Sequence, residues 1–551
     1  MPKIAESQVV NSALWAAYGD ALGFPTELVS EREFEKRTGV ARMEQTLDWS
    51  RRTGGMFGPE VRFPAGSYSD DTQLRLAVCR AIAGNGFFDV ESFAKIELPV
   101  WLNYALGAGR ASKLAAGNLA LRDSTWSHNF FHSTHVEYWN GGGNGAVMRV
   151  QPHVWAGHGD DPQAFVGDVI RNAVCTHGHP RALIGAAAHA HCLQLALRTG
   201  RPPSPGEWAE LGSIASAQAY QSLLDDQELS LVWIPQWEQL SGQKLKTLWD
   251  ITTAEWIDSS AAAGEACRAN SSPAQRYRAV LSELGGFSNN ERGSGLKTPL
   301  YANVLAWLFR HEGPKAALVA AVNEFGSDTD TIATMAGALA GAHAGFAPDE
   351  PVQDAVYIAG EASRLFAISQ GQEQAGFSYP DLQRWSAPRT QTDAWVTGDD
   401  GPALSGLGAL VPTGPEFTSG KGPGHIYQWC ELSFGQTVLA KRKKHVRVGG
   451  GQRVTGTADN APSPPQSPRS PPAPPQPARK TRDDEAHSLN THAADGQRGI
   501  DERTRDCIRA GFDPTQLGEN LLALVSGPDG VERAIAFAAI IAKAKLARDQ
   551  R

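Results

Sequence analysis

The stretch EFGSDTDTIATMAGALAGAHAG, residues 324–345, joins an acidic opening to a long run of small apolar residues. The run predicts a helix, with Asp328 and Asp330 two residues apart at its start. Capping explains this arrangement on its own, because Ser327 can accept hydrogen bonds from unpaired backbone N–H groups and first-turn carboxylates suit the helix dipole. The stretch therefore predicts a helix start, and by itself it predicts no chemistry.

A second stretch, GSYSDDTQLRLAVCRAIA at residues 66–83, is built in the same way. Asp70 and Asp71 open another amphipathic helix. Hydroxyl residues flank the acids in both stretches, namely Ser69, Thr72, Thr329 and Thr331. Gathering four carboxylates in one cleft is costly, because like charges repel and raise each other's pKa. A divalent cation removes this cost, so the paired stretches indicate a shared metal site.

The ligand chemistry indicates which metal this site would take. Hard carboxylate and hydroxyl oxygens suit Mg²⁺, Mn²⁺ or Ca²⁺ better than zinc. Adjacent acids shared between ions make a two-metal site, with the ions roughly 3.5–4 Å apart. The two stretches therefore predict a binuclear centre.

Length and composition indicate a globular protein. With 551 residues, the chain exceeds the size at which one hydrophobic core usually keeps growing, so we expect a main domain of roughly 300 or more residues plus attachments. Hydrophobic residues make up 41% and charged residues 20%, which is ordinary globular usage. The net charge of -8 offers no general attraction to nucleic acid or to an anionic membrane.

Cysteine usage and the N-terminus bear on location. The six cysteines contain no C-x-x-C pair, so neither a zinc ribbon nor a disulfide framework is indicated. The first twenty residues lack the order of a secretion signal, and no apolar stretch is long enough to span a bilayer. We therefore expect a cytoplasmic protein with no membrane partner.

The sequence pattern, and with it the predicted secondary structure, changes along the chain. Helical periodicity dominates residues 1–370 and strand signals there are thin, which predicts a compact all-α core. Residues 371–450 contain loop-forming glycine, proline and serine residues and a strand-like run, which predicts a small β-containing appendage. Residues 451–499 are rich in proline and predict an extended, disordered linker. Residues 500–551 regain helical spacing and predict a short helical module for packing, oligomerisation or partner binding.

An acidic stretch near the N-terminus adds two candidate residues. AAYGDALGFPTE, residues 16–27, contains Asp20 near a helix end and Glu27 after a proline, from where Glu27 can reach the same cleft. Each acid also has a structural interpretation. Glu27 can be a solvated loop acid, and Asp20 can be a carboxylate held by backbone groups or a neighbouring base.

Two further stretches suggest ligand contacts. NGGGNGAVMRV, residues 140–150, has glycines that let the backbone approach a ligand and present N–H groups to phosphate oxygens. Its Asn144 and Arg149 add polar contacts, although Arg149 is equally explained as a structural ion-pair partner. CTHGHPRALIG, residues 175–185, places His177 before a predicted helix, where a histidine is a ligand contact, a cap or a core residue.

The ordered fragments GDALGFPTE, SDDT, GNGAVMR, THGHPRA and GSDTDTIATMAGALAGA resemble the ADP-ribosylglycohydrolase family. This group includes dinitrogenase reductase-activating glycohydrolase and the ADP-ribosyl-acceptor hydrolases. The resemblance covers about the first two thirds of the chain and says nothing about the remainder. It implies an all-helical domain with two Mg²⁺ (or Mn²⁺) ions at the bottom of a cleft that holds ADP-ribose.

The resemblance also implies site residues by motif position. The implied metal ligands are Ser69, Asp70, Asp71, Asp328, Asp330 and Thr331. Ser69 stands where the family commonly has threonine, and Ser327 where it often has glycine. Neither change is expected to disturb the cleft, because both residues are small and serine keeps the hydroxyl oxygen.

Substrate contacts and catalytic acids are implied in the same way. Gly143, Asn144 and Gly145, with His177 nearby, match the part of the family that lines the ADP-ribose site. Glu27 matches an acid that approaches the metals and the scissile ribose. The catalytic residues are therefore expected to be Glu27, Asp71 and Asp330. Glu27 and Asp71 would handle protons while a metal-activated water attacks the anomeric carbon through an oxocarbenium-like transition state.

The resulting expectation is a metal-dependent hydrolase that cleaves the N- or O-glycosidic bond between ADP-ribose and an acceptor. The acceptor is expected to be an ADP-ribosylated protein, with arginine linkage slightly favoured over serine, nucleobase or small-molecule linkage, and ADP-ribose would be a product. The alternative is a catalytically silent ADP-ribose-binding or immunity protein on the same scaffold.

Two short runs suggest different chemistry. HNFFHSTH contains His128, His132 and His135, whose spacing lets them share a helix face and bind zinc, although no fourth ligand is apparent. KRKKHVR, residues 441–447, suggests nucleic-acid binding, but a short basic run on a strand is better explained as a solvated sheet edge. Nucleic acid is therefore not an expected partner.

Overall fold

The computed structural model describes residues 4–134, 136–157, 165–398, 401–419, 424–444, 500–525 and 530–549. They belong to two compact units, Met1–Asn460 and Ala461–Arg551. The predicted linker over residues 451–499 lies outside the described residues. The predicted segment boundaries, including the one at residue 370, stay predictions.

The first unit is built mainly from α-helices, which confirms the predicted all-α core. Its described helices are α1 Glu6–Gly23, α2 Glu31–Thr38, α3 Asp70–Ala81, α4 Val90–Ser92, α5 Leu98–Trp101, α6 Arg110–Leu119, α7 Gln151–Ala156, α8 Val166–Val174, α9 Pro180–Thr199, α10 Trp208–Asp225, α11 Ile234–Ser241, α12 Leu245–Ala266, α13 Pro273–Glu283, α14 Lys297–Leu308, α15 Pro314–Val322, α16 Thr329–Gly341 and α17 Ala355–Ser369. Short 3₁₀ turns cover Tyr138–Asn140, Asn144–Arg149 and Gln391–Ala394, and π turns cover Phe93–Glu97 and Leu229–Trp233.

The described strands form two antiparallel sheets. β1 Trp49–Arg52 and β2 Glu60–Phe63 form a hairpin inside the helical part of the chain, where strand signals are thin. The other sheet contains β3 Trp395–Gly398, β4 Gly401–Leu404, β5 Gly408–Thr418, β6 His425–Leu432 and β7 Thr437–Lys443. Each of these strands pairs with its neighbour in sequence. This five-stranded sheet confirms the predicted β-containing appendage.

Helices α1 and α16 are in unusually close contact through glycines on both helices. A Cβ atom at Gly19 would overlap the carbonyl oxygen of Ala333, and one at Gly337 would overlap the carbonyl oxygen of Trp15. Near the opening of α16, a Cβ at Gly23 would overlap the backbone of Asp330. Because nothing larger than hydrogen fits at these points, the two backbones can approach this closely.

Side-chain hydrogen bonds fix how α1 and α16 lie along each other. Ser12 Oγ donates to the carbonyl oxygen of Ala338 at 2.9 Å, and Thr334 Oγ1 donates to that of Ala16 at 2.8 Å. At the other end, Thr329 Oγ1 donates to the Gly23 carbonyl oxygen at 3.1 Å. The C-terminus of α1 is thereby held against the N-terminus of α16, where the acidic stretch begins.

The five-stranded sheet shares its packing with the helices. Buried side chains such as Leu404, Cys430 and Val438 belong to the same hydrophobic core as the helical bundle. A second cluster, which we call the hairpin cluster, combines Phe24, Trp49, Val61, Phe63 and Leu106 with Tyr427, Trp429 and Leu439. The hairpin therefore packs between the end of α1 and strands β6 and β7.

The second unit contains α18 Ile500–Arg509, α19 Pro514–Val525 and α20 Gly530–Asp549, which confirms the predicted helical tail. It has a small core of its own, formed by Cys507, Phe512, Leu524, Ala534, Phe537 and Ile541. Within the described ranges, none of the helices of either unit combines the length and apolar character needed to cross a bilayer.

The glycine contact predicts the effect of a single added methyl group. Gly337→Ala should lower the free energy of unfolding by about 1–3 kcal/mol, because the new Cβ forces α1 away from α16. Gly360→Ala is the matched control, since Gly360 is an exposed helical glycine with open space around it. The control should raise stability by about 0.5–1 kcal/mol. Equal denaturant midpoints for the two variants would contradict the packing described above.

Candidate functional site

Acidic side chains from α1, α3, α16 and the loop after α1 meet at one place. Ligand atoms of Asp20, Asp71 and Asp330 all lie within 4.8 Å of one another, and the same holds for Glu27, Asp328 and Asp330. The two groups share Asp330. The arrangement is that of two adjoining oxygen-lined positions with a carboxylate between them. Neither group contains a histidine or a cysteine among the described residues.

Asp20 ties α1 to the start of α3. Its Oδ1 accepts from the backbone N–H of Ser69 at 2.8 Å, and its Oδ2 accepts from the backbone N–H and the hydroxyl of Thr72 at 2.8 and 2.6 Å. Both oxygens of this carboxylate are thus engaged by protein donors. The structure matches the structural interpretation of Asp20, a buried acid held by backbone groups, although it lies within the acidic group.

Asp71 is held differently, because one of its oxygens has no partner. Its Oδ2 accepts long hydrogen bonds from Ser69 Oγ at 3.2 Å and Thr331 Oγ1 at 3.3 Å, whereas its Oδ1 is buried with no hydrogen bond. A buried, unpaired carboxylate oxygen costs free energy. A cation next to Asp71 would satisfy this oxygen, and the two hydroxyls would add neutral oxygen ligands.

Asp70 and Glu27 lie together at Gly107. A Cβ at Gly107 would stand 3.0 Å from Asp70 Oδ1 and 3.5 Å from Glu27 Oε2, and this glycine has φ +82°. Asp70 therefore lies outside the two close groups but next to one of their members. Of the six predicted ligands, Asp71, Asp328 and Asp330 are in the groups, Ser69 and Thr331 contact Asp71, and Asp70 adjoins Glu27.

Burial and mutual repulsion shift the pKa values of these acids. Burial, and next the charges of neighbouring carboxylates, raise the pKa of Asp70, Asp71 and Asp330 well above the ordinary value. Burial followed by repulsion from Asp328 raises the pKa of Glu27 to about 7. The folded protein therefore resists full ionisation of the centre, and divalent cations would remove that resistance.

The glycine stretch lies beside the Asp328 end of the centre. Asn144 donates from Nδ2 to Asp328 Oδ2 at 2.9 Å, and its backbone N–H donates to the Gly293 carbonyl oxygen at 3.0 Å. Cβ atoms at Gly143 and Gly145 would stand 3.7 Å and 3.2 Å from the His177 ring. All four residues predicted to line the substrate cleft are thus adjacent to one another and to the acidic centre.

Arg149 holds the backbone of the glycine stretch in place. The guanidinium of Arg149 is fully buried and donates to the Gly145 carbonyl oxygen, to Asn172 Oδ1 and to Thr176 Oγ1 at 2.6–2.8 Å. Thr176 in turn shares a hydrogen bond with His177 Nδ1 at 2.8 Å. Burial, and next the charge of Arg149, lower the pKa of His177 to about 3, so the imidazole is neutral near pH 7. Arg149 makes no ion pair among the described residues.

Two arginines near the centre were not found by sequence reasoning. Arg75 on α3 donates to Thr72 Oγ1 at 2.7 Å and to Thr334 Oγ1 at 2.9 Å, which links α3 to α16. Arg51 on β1 lies over the ring of Phe24, 4.5 Å from its centroid. Arg75 lies one helical turn after Asp71, so the sequence could have indicated a cation near the acids. No sequence feature near Arg51 indicates that it lies close to the site.

The histidine run HNFFHSTH has no helical face in the described residues. His128 has no regular secondary structure and His132 forms an isolated bridge with Glu137, so the i, i+4 helical geometry that the zinc interpretation needs is missing. His132 instead faces the Glu137 carboxylate at 3.3 Å. His135 lies outside the described residues.

Two sequence comparisons indicate the same family. The family model described as ADP-ribosylglycohydrolase matches residues 1–366. ADP-ribosyl-[dinitrogen reductase] glycohydrolase of Rhodospirillum rubrum is 30% identical over 178 residues, which is 31% of this chain and 52% of the relative. The chain thus spans about half the length of that relative. A solved structure described as an ADP-ribosylglycohydrolase-related protein complex is 21% identical with TM-score 0.41, covering 66% of this chain and 98% of its own.

The raised pKa of Glu27 predicts how stability depends on pH without metal. Between its ordinary value of 4.5 and about 7, the folded protein binds more protons at Glu27 than the unfolded chain does, so this group's contribution to stability falls as pH rises. In EDTA, Glu27→Gln should therefore unfold at a higher temperature than the wild type at pH 8. This advantage should be smaller at pH 5.5 and should approach zero only below pH 4.5, where the unfolded chain is protonated at Glu27 as well.

Glu312→Gln is the control for this measurement, because Glu312 is exposed and belongs to neither acidic group. Its melting temperature should follow that of the wild type at both pH values. A Glu27→Gln advantage that is the same at pH 8 and pH 5.5 would show that Glu27 is not buried against like charges.

Proposed function

The chain belongs to the ADP-ribosylglycohydrolase family, and from this premise we propose that it is a metal-dependent hydrolase of the glycosidic bond between ADP-ribose and an acceptor. One observation supports the proposal above all others. Two groups of carboxylates share Asp330, and Asp71, a member of one group, has a buried oxygen without a hydrogen bond. Such a site is costly for a protein to maintain unless a ligand or ion uses it.

We propose two Mg²⁺ or Mn²⁺ ions as the cofactors of this centre. The donor set fits them, because every candidate ligand is a hard oxygen: the carboxylates of Asp70, Asp71, Asp328 and Asp330 and the hydroxyls of Ser69 and Thr331. When bound, such ions supply Lewis-acid stabilisation of sugar oxygens and lower the pKa of a coordinated water.

The chain's own residues position the rest of the substrate in this proposal. Gly143 and Gly145 provide the close approach that a diphosphate needs, and Asn144 links this stretch to Asp328 through its amide. Neutral His177 next to the glycines offers a hydrogen bond without adding charge. ADP-ribose would therefore extend from the acidic centre along residues 143–145.

Proton transfer in this proposal belongs to the acids at the centre. A pKa of about 7 lets Glu27 both accept and donate a proton near neutral pH, which suits general acid–base work on the water and on the leaving acceptor. The carboxylates also provide negative charge facing an oxocarbenium-like transition state. Asp71 shares the proton transfer with Glu27, while Asp328 and Asp330 would bind the metal ions.

The proposal also specifies the acceptor, the group to which ADP-ribose is linked. The name of the Rhodospirillum rubrum relative says that it acts on an ADP-ribosylated protein. We therefore propose a protein acceptor here, with arginine linkage favoured over serine and nucleobase linkage, and free ADP-ribose as a product. Reversal of ADP-ribosylation would be the resulting activity.

Removal of a single carboxylate from the centre tests the mechanism. Asp71→Asn and Asp330→Asn should each lower kcat roughly 10³-fold or more, because each removes a charge needed at the reacting sugar. Both variants should keep the circular dichroism spectrum of the wild type, since neither side chain contributes to the apolar core. Asp258→Asn, at an exposed position on α12, should retain full activity. Unchanged turnover in a purified Asp71→Asn variant would remove Asp71 from the mechanism.

A substrate panel tests the reaction and the linkage together. Protein-bound ADP-ribose attached through arginine, through serine and through a nucleobase is incubated with the enzyme and Mg²⁺, and released ADP-ribose is measured by chromatography. We expect release from the arginine-linked substrate, abolished by EDTA and restored by Mn²⁺. Release that is insensitive to EDTA would contradict the metal centre. Binding of ADP-ribose without release from any substrate would indicate the silent scaffold.

A further inference from the structure

Arg51 faces the acidic centre from an otherwise apolar strand face. In the hairpin, Trp49 pairs with Phe63 and Arg51 pairs with Val61, so these four side chains share the face that packs against the end of α1. A cation on a buried apolar face is expensive unless something opposite it is negative. Phe24, which precedes Glu27 by three residues, packs against this face.

The guanidinium of Arg51 is held by aromatic rings. Its Cζ lies 4.5 Å from the Phe24 ring centroid, 5.6 Å from that of Phe63 and 5.8 Å from that of Trp49. These rings also contact each other, with Trp49 stacked on Phe63 at 4.8 Å and Phe24 edge-on to Trp49 at 5.2 Å. The guanidinium of Arg51 forms no hydrogen bond or ion pair within the described part of the chain. Its position is therefore set by the rings and not by a partner carboxylate.

Three carboxylates of the centre lie within electrostatic range of this guanidinium. Burial lowers the pKa of Arg51, and the charge of Arg37 adds to this shift, while the charges of Glu27, Asp330 and Asp70 oppose it. The geometry agrees, because the Phe24 ring edge, Glu27 Oε2 and Asp70 Oδ1 surround the same point at Gly107. The positive charge of Arg51 thus lies on one side of the acidic centre without touching it.

The five-stranded sheet holds the hairpin that carries Arg51. Trp429 of β6 donates from Nε1 to the Arg62 carbonyl oxygen at 3.0 Å and meets the Phe63 ring edge-on at 5.6 Å. Tyr427 of the same strand packs against Gly54 in the hairpin turn. Residues about 370 positions away in sequence therefore support the wall of the site.

We propose that Arg51 is the resident counter-cation of the acidic centre, held in place by the hairpin cluster, and that it competes electrostatically with divalent cations. Without metal, its charge offsets part of the repulsion among Glu27, Asp70 and Asp330. With metal bound, the same charge repels the ions and lowers their affinity. This inference rests on the proposed metal centre, and it assigns the sheet a role in tuning that centre.

The proposal predicts that Arg51→Gln changes two measured quantities in opposite directions: the melting temperature falls and the Mn²⁺ affinity rises. Arg51→Gln should lower the melting temperature in EDTA, because the carboxylates lose their counter-charge. The same variant should bind Mn²⁺ roughly ten-fold more tightly than the wild type at low ionic strength, as measured by isothermal titration calorimetry. A side chain with only a packing role would weaken both properties or neither.

Two variants of the same hairpin serve as matched controls. Arg52→Gln removes an identical charge from the next residue, which is exposed on the opposite face and donates to the Met56 carbonyl oxygen. It should leave both measurements close to wild type. Arg51→Lys keeps the charge but loses the planar stacking on the rings, so its Mn²⁺ affinity should lie between those of the wild type and Arg51→Gln.

The part played by the sheet is tested at Trp429. Trp429→Ala loosens the hairpin cluster and should shift Mn²⁺ affinity in the same direction as Arg51→Gln, by a smaller factor. Trp395→Ala is the control, because Trp395 lies on β3 of the same sheet against Arg442. It should leave Mn²⁺ affinity unchanged. Equal Mn²⁺ affinities for the two tryptophan variants would overturn the role of the sheet.

The outcomes separate this inference from the proposed function. If the wild type binds no Mn²⁺ in the millimolar range, the proposed metal centre fails. If the wild type binds Mn²⁺ and Arg51→Gln binds it with unchanged affinity and unchanged stability in EDTA, the counter-cation role alone is overturned. A raised KM with both measurements unchanged would likewise overturn it, since Arg51 would then contact substrate.

Discussion

The close contact between α1 and α16 is the constraint on which the rest of the site depends. Gly19, Gly23 and Gly337 let the two backbones touch, and Thr329 closes the contact at the acidic end. Because Gly23 abuts the backbone of Asp330 itself, packing fixes the main chain that carries the shared carboxylate. This main chain cannot move away from α1 when repulsion among the carboxylates rises.

That rigidity makes the electrostatics of the site unusual. Acidic side chains from four parts of the chain converge, and burial and repulsion raise their pKa values. The compensating groups are few: Arg75 binds through threonine hydroxyls, and Arg51 lies on aromatic rings beyond contact distance. The carboxylates of the centre therefore keep much of their mutual repulsion, and this repulsion is the physical basis of the proposed divalent-cation site.

The C-terminal sheet is part of the same physical arrangement. Its inner residues join the main core, and Trp429 and Tyr427 support the hairpin next to the centre. The segment that follows the helical part of the chain thus shapes the wall of the site. The glycine stretch borders the centre at Asp328, where Asn144 donates to that carboxylate and Arg149 holds the backbone of the stretch through the Gly145 carbonyl oxygen.

The sequence by itself determined the helical core, the acidic helix starts at Asp70 and Asp328, the glycine stretch and the presence of a strand-forming segment after residue 370. These features are local, because periodicity, capping and glycine placement act over a few residues. Only the tertiary structure decided that Asp330 is shared between two acidic groups, that Asp71 keeps an unpaired oxygen, that Asp20 is occupied by protein donors, and that Arg51 faces the centre. The reason is that these relations join residues tens to hundreds of positions apart, and their geometry is set by helix–helix and sheet–hairpin packing that no local pattern records.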